Sequence, residues 1–385
     1  MIYFDNSATT FFKPPEVIGA AVSAMKYLSV NPGRAAHYMA LKGARLIYSA
    51  REKTARFFGC GDASRVIFTS GCTAALNLAV MGSNLLGKHV VTTALEHNSV
   101  LRPLFELKRR GDISLSVVPP SQNGVVTVQA IAGAVRKNTA MVITTHISNV
   151  IGTVQPIAEI GSFCRKNDIV YLVDAAQSAG MEHIDVEKFN IDMLAAPAHK
   201  GLHAITGAGV LVMGERASVM PVTFGGTGTD SDNLMQPISF PDGYEAGTIN
   251  LPAVAALARA EDLCIARFET RRNTVLSLCS YLYDKLSQMP EIKIYSPRHS
   301  PGGIIAFNIR GFDSESVAEY LSEKYSICLR SGLHCAPLAH RFLGTSSRGI
   351  VRASLSFDNT KAEIDIFADA VKHIIMQNGI KVDFR

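Results

Sequence analysis

Short apolar runs alternate with longer amphipathic ones from about residue 14 to about residue 255. Residues 139–145 (TAMVITT) and 169–173 (IVYLV) are continuous apolar runs, as expected of strands buried on both faces. Residues 65–69 (RVIFT), 88–92 (KHVVT), 191–195 and 208–213 (AGVLVM) predict further strands, and 113–118 (ISLSVV) alternates with the two-residue period of a strand. Helices are predicted between them. One opens at Pro14 and Pro15 with a stripe of Val17, Ile18, Ala21, Val22 and Met25. Others follow Gly71 and span about 99–110 and 157–167. Strand–helix alternation of this kind predicts an α/β fold, a mostly parallel sheet with helices on both faces. Residues 217–250, rich in Gly, Thr, Asp and Pro, read as a long ordered loop of the functional kind. A long Ala-rich helix near 251–289 then joins a large unit, 14–255, to a smaller α+β unit made of 1–13 and 256–385. Strands near 303–309, 326–330 and 349–355 and helices near 315–323 and 361–376 build that smaller unit.

Composition narrows the function classes. The 385 residues carry 38 Lys and Arg against 33 Asp and Glu, a net charge of +5, and no run of five like charges occurs. A dedicated nucleic-acid binder is not expected. No apolar stretch reaches 18 residues and the first residues lack a basic flank and an apolar core, so neither a membrane span nor export is expected. Seven cysteines, widely spaced and without a C-x-x-C pair, argue against a disulfide framework and a zinc site and suit a reducing, cytoplasmic compartment. Most of them are expected to be small buried apolar residues.

Candidate chemistry begins at Asp174, which ends the run IVYLVD where open α/β sheets bind ligands. Taken alone it reads equally well as a helix cap. Lys200 follows in AHKG, within a stretch that has no other charge from Leu194 to Met213. A lysine in apolar surroundings has a lowered pKa and can form an imine. A carboxylate for a pyridinium nitrogen and an imine-forming lysine are two demands of pyridoxal phosphate. Thr69-Ser70-Gly71-Cys72-Thr73, a strand end turning into a helix, could seat the phosphate, although hydroxyls there are also ordinary caps. His97 could lie on a cofactor ring, and Asn149 and Gln177 could bond a phenolic oxygen. Cys335 falls in a Gly- and Pro-punctuated loop beside His334 and near Arg330, where positive neighbours favour a thiolate. Cys72 is its rival at a helix start, while the other cysteines fall in helix-like or strand-like segments. Arg352, a single charge in a strand-like run, suits a substrate carboxylate or a structural salt bridge.

The segments DNSATT, TSGCTAALN, EHNS, HISNVIGT, DAAQSAG, AHKG, EAGTIN, RSGLHCAPL and VRASLS occur in an order that resembles the pyridoxal-phosphate-dependent class-V aminotransferase family. Within it the chain resembles the cysteine desulfurases, in the branch that includes selenocysteine lyases. The resemblance implies fold type I, with a mostly parallel seven-stranded sheet in a large domain and a smaller C-terminal domain. It implies that Lys200 carries the cofactor, Asp174 pairs with the pyridine nitrogen, His97 stacks on the ring, and Asn149 and Gln177 contact its oxygen. Cys72, Thr73 and His199 would lie at the phosphate. Gly247 and Thr248 would reach the phosphate of a partner subunit, implying a homodimer. Arg352 would bind the substrate carboxylate, with Asn31, Arg34, His37 and Arg330 at the substrate entrance and pocket. Cys335 would accept sulfur from L-cysteine as a persulfide and pass it to an acceptor protein or thiol, for iron–sulfur cluster assembly or another destination. A selenocysteine lyase or an aminotransferase on the same fold is the alternative. Two positions depart from the family pattern. Pro197 stands where a phosphate-binding Ser is usual, and Leu333 where many relatives carry a second His.

Overall fold

The structure, a computed structural model, describes residues 1–32 and 37–377. In chain order its elements are β1 (Ile2–Tyr3), α1 (Pro15–Tyr27), α2 (Tyr38–Phe57), β2 (Val66–Thr69), α3 (Cys72–Met81), β3 (Lys88–Thr93), α4 (Asn98–Arg110), β4 (Ile113–Val118), α5 (Val128–Ala134), β5 (Thr139–Thr145), α6 (Ile157–Lys166), β6 (Val170–Asp174), β7 (Met193–Pro197) and β8 (Gly209–Met213). There follow α7 (Leu251–Ser287), β9 (Ile292–Ile294), β10 (Ile304–Ile309), α8 (Ser314–Tyr325), β11 (Ile327–Cys328), α9 (Pro337–Leu343), β12 (Val351–Ser354) and α10 (Lys361–Gln377).

The main sheet has seven strands in the order β2-β8-β7-β6-β5-β3-β4. All its pairings are parallel except those of β8, which runs antiparallel to both β7 and β2. The α/β reading and the mostly parallel sheet are therefore correct. Successive residues enter different cores, as the two-residue period requires. Leu172, Met193 and Leu211 pack with α3 and α4 on one face. Val173, Leu194 and Val210 pack with α1, α6 and the first half of α7 on the other. A second, three-stranded sheet, β12-β10-β9, packs against the second half of α7 and α10. α7 changes core along its length, and Arg267 leaves helical geometry between the halves at φ −128°, ψ 18°. β1 pairs with β11, which anchors the N-terminus to the second core.

Some expectations need correction. Ile18 and Met25 are exposed, and the buried stripe of α1 is Val17, Ala21 and Ala24. α2 is a full helix that the apolar pattern did not predict, because its buried face is made of Ala40, Gly43, Ala50, Arg51 and Thr54 beside Ile47. Cys60 lies in a turn after α2 rather than in a helix or strand. The strand expected over 326–330 is only Ile327–Cys328, so the chain is already a loop at Arg330.

Candidate active site

A cavity of about 270 Å³ opens at the C-terminal ends of β5, β6 and β7. Its functional side chains come from strand ends, the connections that follow them and the helix starts beyond. Asp174 is the last residue of β6, and its Oδ1 accepts the Ala176 amide at 2.8 Å. Lys200 sits on the connection from β7 to β8, where the antiparallel turn brings it back over the sheet edge. That connection is closed by Ala198 donating to the Ala208 carbonyl at 3.1 Å and His203 to the Lys200 carbonyl at 2.7 Å. Gly71 and Cys72 cross from β2 into α3 directly over β8. A Cβ at Gly209 would stand 2.6 Å from the Gly71 carbonyl carbon and 2.8 Å from the Cys72 nitrogen, so only glycine lets the loop lie so close.

Burial sets the charge states. The Lys200 amine is held below its ordinary pKa by burial, against the opposing pull of Cys72 and Asp174. Burial raises Asp174, opposed by the Ala176 amide and Lys200. Cys72 donates to Asp174 Oδ1 at 3.6 Å, and burial beside that carboxylate pushes its thiol well above its ordinary value. The rival thiol is therefore held neutral. Burial and the nearby Lys200 and Arg330 lower His97 to about 4. Its Nδ1 accepts the Ser99 amide at 3.0 Å as the cap of α4, which places the proton of the neutral ring on Nε2. The Thr73 and Ser99 hydroxyls meet at 2.8 Å. Burial also lowers His199 to about 4, and its Nδ1 is buried without a partner at the cavity wall.

The Cys335 loop is tied to this cavity through its backbone. The Asn149 amide donates to the His334 carbonyl at 2.7 Å, and Asn98, next to His97, donates its N–H to the Cys335 carbonyl at 2.7 Å. His334 and Cys335 both adopt left-handed backbone, at φ 47° and 55°. The turn lifts Cys335 into an exposed position just before α9, with Arg330 Nη2 3.8 Å from its sulfur. Behind it, a Cβ at Gly349 would lie 2.7 Å from the Gly332 Cα, so glycine lets the two loops touch. Arg352, on β12, is enclosed, donating to the Asn149 carbonyl at 2.8 Å and to Asp5 Oδ1 at 3.0 Å.

Lys200, Asp174, His97, Asn149, Gln177, Cys72, Thr73, His199 and Pro197 all line the one cavity. Gln177 is held there by donating to the Ser7 carbonyl at 3.1 Å. Thr248 lines a neighbouring cavity of about 490 Å³ that shares Ser70 and Ala74 with the first. Asn31 and Gly247 line another, of about 310 Å³. His37 is exposed and caps α2 through Nδ1 to the Ala40 amide at 3.1 Å. Arg34 lies outside the described residues. Sequence reasoning missed the N-terminal segment as a site element: Asp5 holds Arg352, and Thr9, Thr10 and Lys13 converge on the His199 carbonyl. DNSATT was a visible motif, but its roles depend on contacts across the whole chain.

Residues 2–367 match the family described as aminotransferase class-V. A Methanothermobacter thermautotrophicus protein named "Probable cysteine desulfurase" is 34% identical over 383 residues, covering 97% of this chain and 94% of that protein. A Serratia proteamaculans protein named "Cysteine desulfurase" is 28% identical over 393 residues, covering 97% and 93%. Among solved structures, the apo cysteine desulfurase of Thermococcus onnurineus NA1 superposes with a TM-score of 0.90 at 28% identity, over 97% of this chain and 94% of that one. The S-sulfonic acid form of the Escherichia coli cysteine desulfurase CsdA gives 0.86 at 25% identity, over 97% and 94%.

Proposed function

Because the chain belongs to the class-V aminotransferase family, we propose that it is a cysteine desulfurase that uses pyridoxal phosphate, converts L-cysteine to L-alanine and receives the sulfur on Cys335. One observation carries the reading. An amine whose pKa burial lowers, Lys200, lines the same cavity as a buried carboxylate, Asp174, and the peptide of an exposed thiol, Cys335, is hydrogen-bonded to that cavity's wall. The residues present fit the cofactor. α3 starts at Cys72 with no side chain capping its first amides, and His199, whose Nδ1 is unpaired, lines the same cavity, so a phosphate has donors to meet. Pro197 offers no hydroxyl there, and Thr73 and His199 take its place in this reading.

When bound, pyridoxal phosphate supplies an aldehyde for the substrate amine and a sink for the electrons released at Cα and Cβ. The chain's own residues do the rest. Arg352 fixes the substrate carboxylate. Lys200, its pKa lowered by burial, would take the Cα proton and return it. Asp174 keeps a proton opposite its carboxylate. His97, neutral at pH 7, supplies a flat ring rather than an acid. The Cys335 thiolate attacks the substrate sulfur, an S–S bond forms as the Cβ–S bond breaks, and a second thiol then takes the sulfur by exchange.

The exposed apolar residues Tyr38, Leu41, Tyr48, Phe224, Leu234 and Met235 support a homodimer that brings Gly247 and Thr248 to a partner's cavity. All seven cysteines are free, which supports a reducing, cytoplasmic setting. The test is alanine release from L-cysteine by the cofactor-loaded protein, beside Cys335→Ala, with selenocysteine in parallel. Alanine from cysteine that disappears in the variant is expected. Release from selenocysteine alone, surviving in Cys335→Ala, would make the protein a lyase instead.

A further inference from the structure

Arg352 is a cation shut inside the protein, and its three nitrogens are unequally served. The side chain is 1% exposed. Nη1 donates to the Asn149 carbonyl and Nη2 to the Asp5 carboxylate. Nε is buried and has no partner. A guanidinium offers Nε–H and a neighbouring Nη–H as a pair that matches a carboxylate. Asp5 is itself fixed. Its backbone bridges to Ser354, two residues along β12 from Arg352, and its carbonyl accepts the Ala8 amide at 3.0 Å.

We propose that Asp5 is a positioning and specificity residue for carboxylate binding: it holds Arg352 with the buried Nε–H left unpaired for an incoming monocarboxylate and partly neutralises the charge that the ligand meets. Two carboxylates on one guanidinium repel each other. The site therefore binds a monocarboxylate loosely enough to release a carboxylate product, and it disfavours anions of higher charge. Only the identity of the substrate rests on the desulfurase reading. The anion site can be tested without turnover.

The probe is 3-mercaptopropionate, which has the carboxylate and thiol of cysteine and no amine. Its affinity for the purified holoenzyme is read from the rise of the thermal midpoint with concentration at fixed ionic strength, beside KM and kcat for L-cysteine. Asp5→Asn keeps a hydrogen-bond acceptor and removes the charge. It is expected to bind the probe about tenfold tighter, the order set by removing a like charge a few ångströms from the bound carboxylate at intermediate dielectric, with KM falling more than kcat. Asp5→Glu restores the charge and returns affinity towards that of the wild type. Asp5→Ser makes the same comparison as Asp5→Asn if the latter does not fold. Affinity in the neutral variants unchanged within about twofold, or weaker, overturns the proposal, because a charge this close to the ligand shifts binding by more. Tighter probe binding in a protein that does not turn over cysteine would sustain this proposal while sinking the desulfurase reading.

Discussion

Replacing Arg51 by methionine isolates one ion pair, between α2 and the loop that carries Gly247 and Thr248. Arg51 Nη1 and Nη2 meet the two Glu245 oxygens at 2.7 Å each. The two side chains are 6% and 5% exposed. Glu245 also accepts the Phe68 amide at 2.6 Å, and the guanidinium lies 4.7 Å from the Phe68 ring centroid. Methionine keeps the aliphatic volume and leaves a buried carboxylate facing no cation. Breaking a buried pair from one side costs ~3–5 kcal/mol. The surviving Phe68 amide bond puts this case at the lower end, ~3 kcal/mol. Unfolding entropy of about 2.1 cal/mol/K per residue gives ~0.8 kcal/mol/K for 385 residues. The Tm should therefore fall by about 4 °C. Calorimetry on Arg51→Met, Glu245→Met and the double variant tests this. The double variant should recover most of the loss, since a well-packed apolar pair leaves no charge stranded. A single variant within about 1 °C of the wild type, or a double variant as unstable as the two losses added, would refute the idea of a coupled buried pair.

Two further outcomes follow from buried titratable groups. Burial pushes the Glu96 carboxyl from 4.5 up to about 8, so the native state holds a proton that the unfolded chain releases. Its stabilisation is full below the unfolded value of 4.5 and is lost as pH rises through about 8. Glu96→Gln should flatten the fall of Tm across that window, and an unaltered slope in the variant would count against a protonated native Glu96. Brief alkylation at neutral pH, read by mass spectrometry, should modify the exposed Cys335 first and the buried Cys164, Cys264 and Cys279 last. Modification of Cys72 ahead of Cys335 would contradict the neutral state that its burial imposes.

The main sheet was legible because β5, β6, β7 and β8 are buried on both faces and their sequences show it as unbroken apolar runs. α2 was not, since helix packing through Ala, Gly and Thr leaves no apolar stripe to read. The candidate site was legible residue by residue where each member ends a strand, as Asp174 does, or turns into a helix, as Cys72 does. What joins the members was not. The bond from Asn149 to the His334 carbonyl spans 185 positions, and that from Arg352 to Asp5 spans 347. No local pattern encodes such pairs.

Those long-range bonds explain why the first residues belong to the site. Asp5 takes Arg352, the Ser7 carbonyl takes Gln177, and Thr9, Thr10 and Lys13 share the carbonyl of His199, the residue before Lys200. The Phe12 carbonyl meets His203 Nδ1 at 3.0 Å, on the far side of the same turn. The segment therefore runs from β1, in the second core, along both ends of the Lys200 turn to α1, in the first. Lys200 sits on a connection between strands, and connections are the parts of a fold most free to move. Tying the His199 carbonyl and the His203 side chain to a strap anchored in both cores holds the main chain still while leaving the amine itself free. A rigid backbone under a mobile amine is what the proposed chemistry asks of Lys200, which must hold a cofactor, let go of it, and carry a proton without the peptide moving.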